Sequence, residues 1–246
     1  WLPTAVDGLQ LWLDGADGEA TALTGDRVTQ WSDKSGQDHH VTADAAEAPA
    51  LKPAGQYTKS VLRFGGSESI GEGLLPVEDT FDVFIVARPD GSAEVPDGES
   101  VVGVSPAHQL AWAPEVAPGS GRGAGLALGT DGAAVFERNE SVVAPVTIAD
   151  QPIGEAFVVL TVRYESKQAS IWLGDQLLKT GKPSSAATIQ PSLRFGGPGD
   201  DSDGLTGFVG DIAEVLVFDH HLSEDDVVAV RGYLTSKWWG PCDPFA

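Results

Sequence analysis

The chain has 246 residues, 41% of them hydrophobic, and a formal net charge of −21 from 15 Lys and Arg against 36 Asp and Glu. A field of that sign repels phosphate backbones and anionic headgroups, which argues against nucleic acid and acidic membranes as partners. No apolar run approaches the roughly 18 residues needed to span a bilayer, so no membrane insertion is expected, while the apolar content suits one substantial core.

The first apolar segments in chain order are Gly8–Leu13, Ser60–Phe64 and Phe81–Ala87. They are short and bounded by Gly, Pro, Asp or Ser, as strands are. Residues 88–123 hold Pro89, Pro96, Pro106, Pro114 and Pro118 and read as loop, with Gly121–Gly125 a flexible stretch. Residues 156–180 give the best local signal. Ala156–Tyr164 forms a strand, Glu165–Lys167 turns it, and Gln168–Leu173 returns. Gly174-Asp175 then makes a two-residue turn into Gln176–Thr180, with glycine placed for type II′ geometry. This meander makes the sheet antiparallel. Phe157–Val162 is the apolar run of its first strand, residues 196–207 read as loop, and Ile212–Phe218 is the last strand.

Ser223–Trp238 is the one helical pattern. Ser223 can cap it with Asp226 in the place of a capping box, and Glu224, Asp225 and Asp226 suit the positive end of the macrodipole. Val227, Val230, Leu234 and Trp238 form one apolar stripe, so the helix is expected to lie against the strands and cover an end of them. The fold class is all-β, a two-sheet antiparallel β-sandwich with one C-terminal α-helix, in one domain over residues 1–246. The chain starts at Trp1 and contains no Met, so it reads as part of a larger polypeptide. The single Cys242 cannot form an internal disulfide.

Three ordered segments resemble the laminin-G-like, concanavalin A-like superfamily of jelly-roll domains, in the form common in bacterial extracellular proteins. They are Gly8–Asp14 with Val28–Gly36 and His39-His40, then Val61–Gly66 leading into Phe81–Ala87, and finally Phe208–Asp219 with Leu222-Ser223 and the helix. The resemblance implies a jelly roll in an extracellular or cell-surface setting. It does not reach residues 89–150, and the fold hosts lectins, adhesion modules and glucanases alike.

The candidate site residues follow from chemistry. Asp200, Asp201 and Asp203, among glycines, are the expected metal ligands, for a structural Ca²⁺, with a solvated acidic turn as the alternative. Asp33, Ser35 and Asp38 read as a structural turn in which Asp33 takes backbone N–H groups and Gly36 supplies positive φ. Asp14 and Asp17 form a comparable turn. Asp211 and Glu214 are three apart, which on a regular strand points them to opposite faces and rules out paired acid/base work; Glu214 reads as a structural or edge carboxylate. His39-His40, His108 and His220-His221 make no natural zinc set. Trp12, Trp31, Trp172, Trp238 and Trp239 read as core, whereas Trp112 is the candidate ligand-binding ring, against core burial. Asn139-Glu140-Ser141 is a sequon in form only.

No catalytic constellation emerges. The expected function is a non-catalytic, carbohydrate-binding or adhesive module of a secreted or surface protein, with a glycan or an extracellular protein as partner. The alternatives are a domain that docks neighbouring modules and a glycoside hydrolase of the same fold.

Overall fold

The computed structural model describes residues 1–53, 59–91, 108–141, 143–197 and 205–240. In chain order the strands are β1 (Leu9–Asp14), β2 (Thr21–Thr24), β3 (Arg27–Trp31), β4 (Val41–Thr42), β5 (Ala50–Pro53), β6 (Ser60–Gly65) and β7 (Ser69–Ile70). Then come β8 (Phe81–Pro89), β9 (His108–Ala113), β10 (Arg122–Leu128), β11 (Ala133–Arg138), β12 (Val143–Ala149) and β13 (Val158–Glu165). The last are β14 (Gln168–Leu173), β15 (Gln176–Pro183), β16 (Ile189–Pro191), β17 (Arg194–Gly196), β18 (Leu205–Gly207) and β19 (Val209–Phe218), followed by helix α1 (Glu224–Trp239).

Two sheets face each other. The larger runs β15-β14-β13-β8-β19-β6-β5-β3-β2, with β1 beside β19 and β4 beside β3, and the smaller runs β12-β11-β10-β9-β17-β7. Pairing is antiparallel throughout except where the short strands β16 and β18 join β10 and β9 in parallel. The central strand β19 pairs with β8 along its length, with β6 at its start and with β1 at its end.

The unbroken apolar runs of β8 and β19 have a geometric cause. Successive side chains on a strand point to opposite faces. Val83, Ile85, Val215 and Val217 enter the core between the sheets, while Phe84, Val86, Leu216 and Phe218 enter a second core under α1. Both faces of these strands are covered, so both parities are apolar. β14 lies nearer the margin and alternates, with Ala169 and Ile171 buried between half-exposed neighbours.

The meander forms as the sequence predicts. Ser166 and Lys167, both at positive φ (50° and 69°), make the first turn, and Gly174 at φ 55° opens the second. Helix α1 also forms, with the Ser223 side chain accepting from the Asp226 N–H and with Val227, Val230, Leu234 and Trp238 buried. Its position differs from expectation. Its stripe shares a cluster with Trp12, Val61, Phe84 and Leu216, so the helix covers the outer face of the larger sheet rather than an end.

Two expected loops contain strands. Gly121–Gly125 is not a flexible stretch, because β10 runs from Arg122 and pairs with β9, β11 and β16. Its glycines are there for close approach. A Cβ at Gly123 would run into the Glu115 carbonyl, and one at Gly125 into Pro114 and the Trp112 carbonyl. Within 196–207, β18 pairs with β9, and a Cβ on Gly207 would strike the Gly66 and Gly197 carbonyls.

Leu234 is 1% exposed in the core under α1. Leu234→Ala is expected to lower unfolding free energy by about 2–5 kcal/mol, read as a shifted urea midpoint at unchanged slope.

Candidate functional site

The densest polar chemistry of the described residues sits between α1 and the outer face of the larger sheet. Glu214 on β19 is fully buried. Its Oε1 accepts from Trp12 Nε1 at 2.7 Å and from the Tyr233 hydroxyl at 2.8 Å. Its Oε2 accepts from Trp238 Nε1 at 2.6 Å and lies 2.8 Å from Lys237 Nζ. One carboxylate thus ties β1, β19 and the last two turns of α1 together. Burial pushes its carboxyl above the ordinary value, against the pull of Lys237. Burial also pushes the Tyr233 phenol up, and the nearby Glu214 charge adds to the effect.

Asp14 extends the cluster at the end of β1. Lys237 Nζ reaches its Oδ1 at 2.6 Å, and Lys34 Nζ reaches its Oδ2 at 2.8 Å. Lys34 also pairs with Asp17 at 2.7 Å and lies 4.4 Å from the Trp12 ring centroid. Burial opposes its charge, but the hydrogen bonds to Asp14 and Asp17 outweigh that and raise its ammonium above the ordinary value. Beside it, Asp33 accepts from the N–H groups of Trp12, Ser35 and His39, and Gly36 stands at φ 91°, the structural turn expected for this segment.

A second buried ion cluster anchors the start of the helix. Asp82 accepts from Arg163 Nε at 3.0 Å and from the Leu222 N–H at 3.1 Å, and Arg163 reaches Glu224 at 3.2 Å. Burial pushes the Asp82 carboxyl up, with Arg163 pulling the other way. His221 Nδ1 lies 3.4 Å from Asp82.

The structure changes the account of Asp211 and Glu214. The register between β19 and β8 slips between Ile212 and Glu214, a β-bulge. Ile212 and Val215 point into the inter-sheet core, while Ala213 and Glu214 both belong to the helix side. Asp211 also faces outward, toward Arg63 and Arg88. The two acids therefore share a face, contrary to regular pleat counting. Glu214 is not at an edge either, since β19 has neighbours on both sides. Each acid is nonetheless held by its own cations, which leaves no free carboxylate pair for acid/base chemistry.

Trp112, the expected ligand-facing ring, is 1% exposed and donates its indole N–H to the Ser192 carbonyl at 2.7 Å. It packs between the sheets and offers no face to a ligand. Trp172, expected in the core, is instead half-exposed on the outer face, where its ring centroid lies 5.5 Å from the Arg231 guanidinium. Trp239 is likewise only half-buried, whereas Trp12, Trp31 and Trp238 are buried as expected. Asp200, Asp201, Asp203 and Cys242 lie outside the described residues. Among the described residues, no group of three or more His, Cys, Asp or Glu could hold a metal ion. His39 and His40 serve the turn, His39 Nδ1 meeting the Gln10 carbonyl and His40 Nδ1 accepting from the Asp33 N–H.

The sequence pattern held one usable signal for the Glu214 cluster. Tyr233 and Lys237 are spaced i, i+4 along the flank of the apolar stripe, so both reach the same strip of sheet.

No family model matches the sequence, and no curated protein matches it. Solved structures do. The binding domain of Paraclostridial Mosquitocidal Protein 1 aligns with a TM-score of 0.61 at 9% identity, over 95% of this chain and 53% of that one. Trypanosoma rangeli sialidase in complex with sialic acid aligns at 0.57 and 15% identity, over 96% of this chain and 34% of that one. The likeness establishes the fold. Domain 4 of AbnA, a GH43 extracellular arabinanase from Geobacillus stearothermophilus, in complex with arabinotriose, aligns at 0.56 and 12% identity, over 91% and 98%. The chain spans about half or less of the first two proteins and nearly all of the third.

Two outcomes follow from the buried clusters. Glu214→Ala removes one of the two carboxylates that hold Lys237 and the shared acceptor of three neutral donors, and is expected to cost about 3–5 kcal/mol in chemical denaturation. Asp82 holds its proton more tightly folded than unfolded, so its contribution is fully present below the ordinary value of 3.8 and is lost as pH rises through the raised folded value. The stability of the wild type relative to Asp82→Asn is therefore expected to improve as pH falls from neutrality toward about 4, in paired denaturation curves.

Proposed function

We propose that this chain is a non-catalytic carbohydrate-binding module of a larger secreted or cell-surface protein. The observation that carries the proposal is the nearly end-to-end match with the arabinanase domain in complex with arabinotriose. The binding domain of the mosquitocidal protein and the sialidase complexed with sialic acid support it at the level of the fold. The absence of a free carboxylate pair among the described residues of β19 weighs against a glycoside hydrolase of the same fold.

The best-formed ligand surface is the outer face at β14–β15. Trp172 presents a half-exposed ring, its cross-strand neighbour Leu177 is 46% exposed, and Arg231 stands alongside. Arg231 Nε and Nη2 are buried and have no hydrogen-bond partner among the described residues. Burial, and then the neighbouring Arg163, hold the Arg231 guanidinium below its ordinary value. A half-buried indole beside an exposed leucine fits the apolar C–H face of a sugar ring. A protein-docking role is the second reading, favoured by Val228, which is 65% exposed on the same helix one turn from Arg231.

Binding to an array of neutral and acidic oligosaccharides tests this. At least one is expected to bind, and Trp172→Ala is expected to weaken it about tenfold or more, near 1.4 kcal/mol. A folded protein that binds no saccharide at millimolar concentration would overturn the proposal and favour the protein-docking role.

A further inference from the structure

The Asp14–Glu214–Lys237 cluster has the geometry of a reaction as well as of an ion pair. The amine of Lys237 touches both acids, at 2.6 Å from Asp14 and 2.8 Å from Glu214. The three side chains are 15%, 6% and 0% exposed for Lys237, Asp14 and Glu214. Trp12, Tyr233 and Trp238 wall the site, all three in the apolar cluster under α1. Lys34 holds the other Asp14 oxygen. We propose that Lys237 and Asp14 join through an intramolecular isopeptide bond, with Glu214 as the proton shuttle, fastening α1 covalently to β1.

The step balances without any oxidant or cofactor. An ammonium and a carboxylate become an amide and one water molecule. Glu214 takes a proton from Lys237 Nζ, and the free amine attacks Asp14 Cγ. The Nζ–Cγ bond forms, Glu214 passes the first proton to Oδ1 and then relays a second from Nζ to the same oxygen, and the Cγ–Oδ1 bond breaks as Oδ1 departs as water, which leaves one hydrogen on the amide nitrogen. Lys34, held charged by Asp14 and Asp17, balances the negative charge that develops on Oδ2.

Three physical features favour this chemistry here. The fold holds the nucleophile 2.6 Å from an oxygen of the carboxylate it attacks, which replaces a bimolecular encounter. Glu214 is pushed toward its protonated form by burial, so it can hold the transferred proton. The product is a neutral amide where two buried charges stood, which removes their desolvation penalty. Lys34 also touches Asp14, but its second partner is Asp17 and not Glu214, so it lacks the buried shuttle.

Mass spectrometry of the denatured full chain decides the matter. The wild type is expected one water lighter than its sequence mass, and a peptide map is expected to recover residue 14 joined to residue 237. Lys237→Arg and Glu214→Gln are expected at full mass. A wild type that stays at full mass after prolonged incubation at neutral pH overturns the proposal. Asp14-Gly15 could also lose water by backbone imide formation. That loss would persist in Lys237→Arg and would be cleaved by hydroxylamine, and this result overturns the proposal as well.

Discussion

The structure depends on the satisfaction of one buried carboxylate. Glu214 sits within the apolar cluster between α1 and the outer face of the larger sheet, and it accepts from two indoles, a phenol and an ammonium. An isolated charge there would be prohibitively costly, so the site exists only when β1, β19 and α1 are all in place. The hydrophobic stripe of α1 supplies adhesion without direction. The hydrogen bonds of Trp12, Tyr233 and Trp238 fix rotation and register, which non-directional burial cannot do.

The bulge in β19 makes this possible. A regular strand that buries Ile212 between the sheets would alternate Glu214 into the same inter-sheet core. The extra residue turns Ala213 and Glu214 outward together and restores Val215 to the inside. Asp211 meets its arginines on that same face. A single irregularity therefore separates a dry inter-sheet core from an outer face that carries ion clusters, the helix and the half-exposed Trp172.

Much of the fold was legible because it rests on local periodicity. The β8 and β19 runs, the meander and the capped helix each carry their signal within ten or twenty residues. What was not legible depends on distant partners. The glycines of β10 look like a flexible stretch in isolation, and only the crossing of Glu115 and Trp112 explains them. Pleat counting cannot detect a bulge, so it sends Asp211 and Glu214 to opposite faces. Tryptophans posed the same difficulty. Trp112 and Trp172 lie in comparable apolar surroundings in sequence, and which one is buried is settled by which sheet face receives a covering layer.

The pairing of β1 with β19 also shapes how the molecule must assemble. Trp12 and Glu214 are 202 residues apart, and among the described residues β1 pairs with β19 and, through a single bridge at Leu13, with Asp33. During synthesis at about 5–20 residues per second, β1 waits for β19 until the residues between them have emerged. Pairing across so long a loop raises contact order, which slows folding. Until the last strand arrives, Leu9, Leu11 and Leu13 are an exposed apolar segment, which makes the interval before closure the period of greatest risk for aggregation.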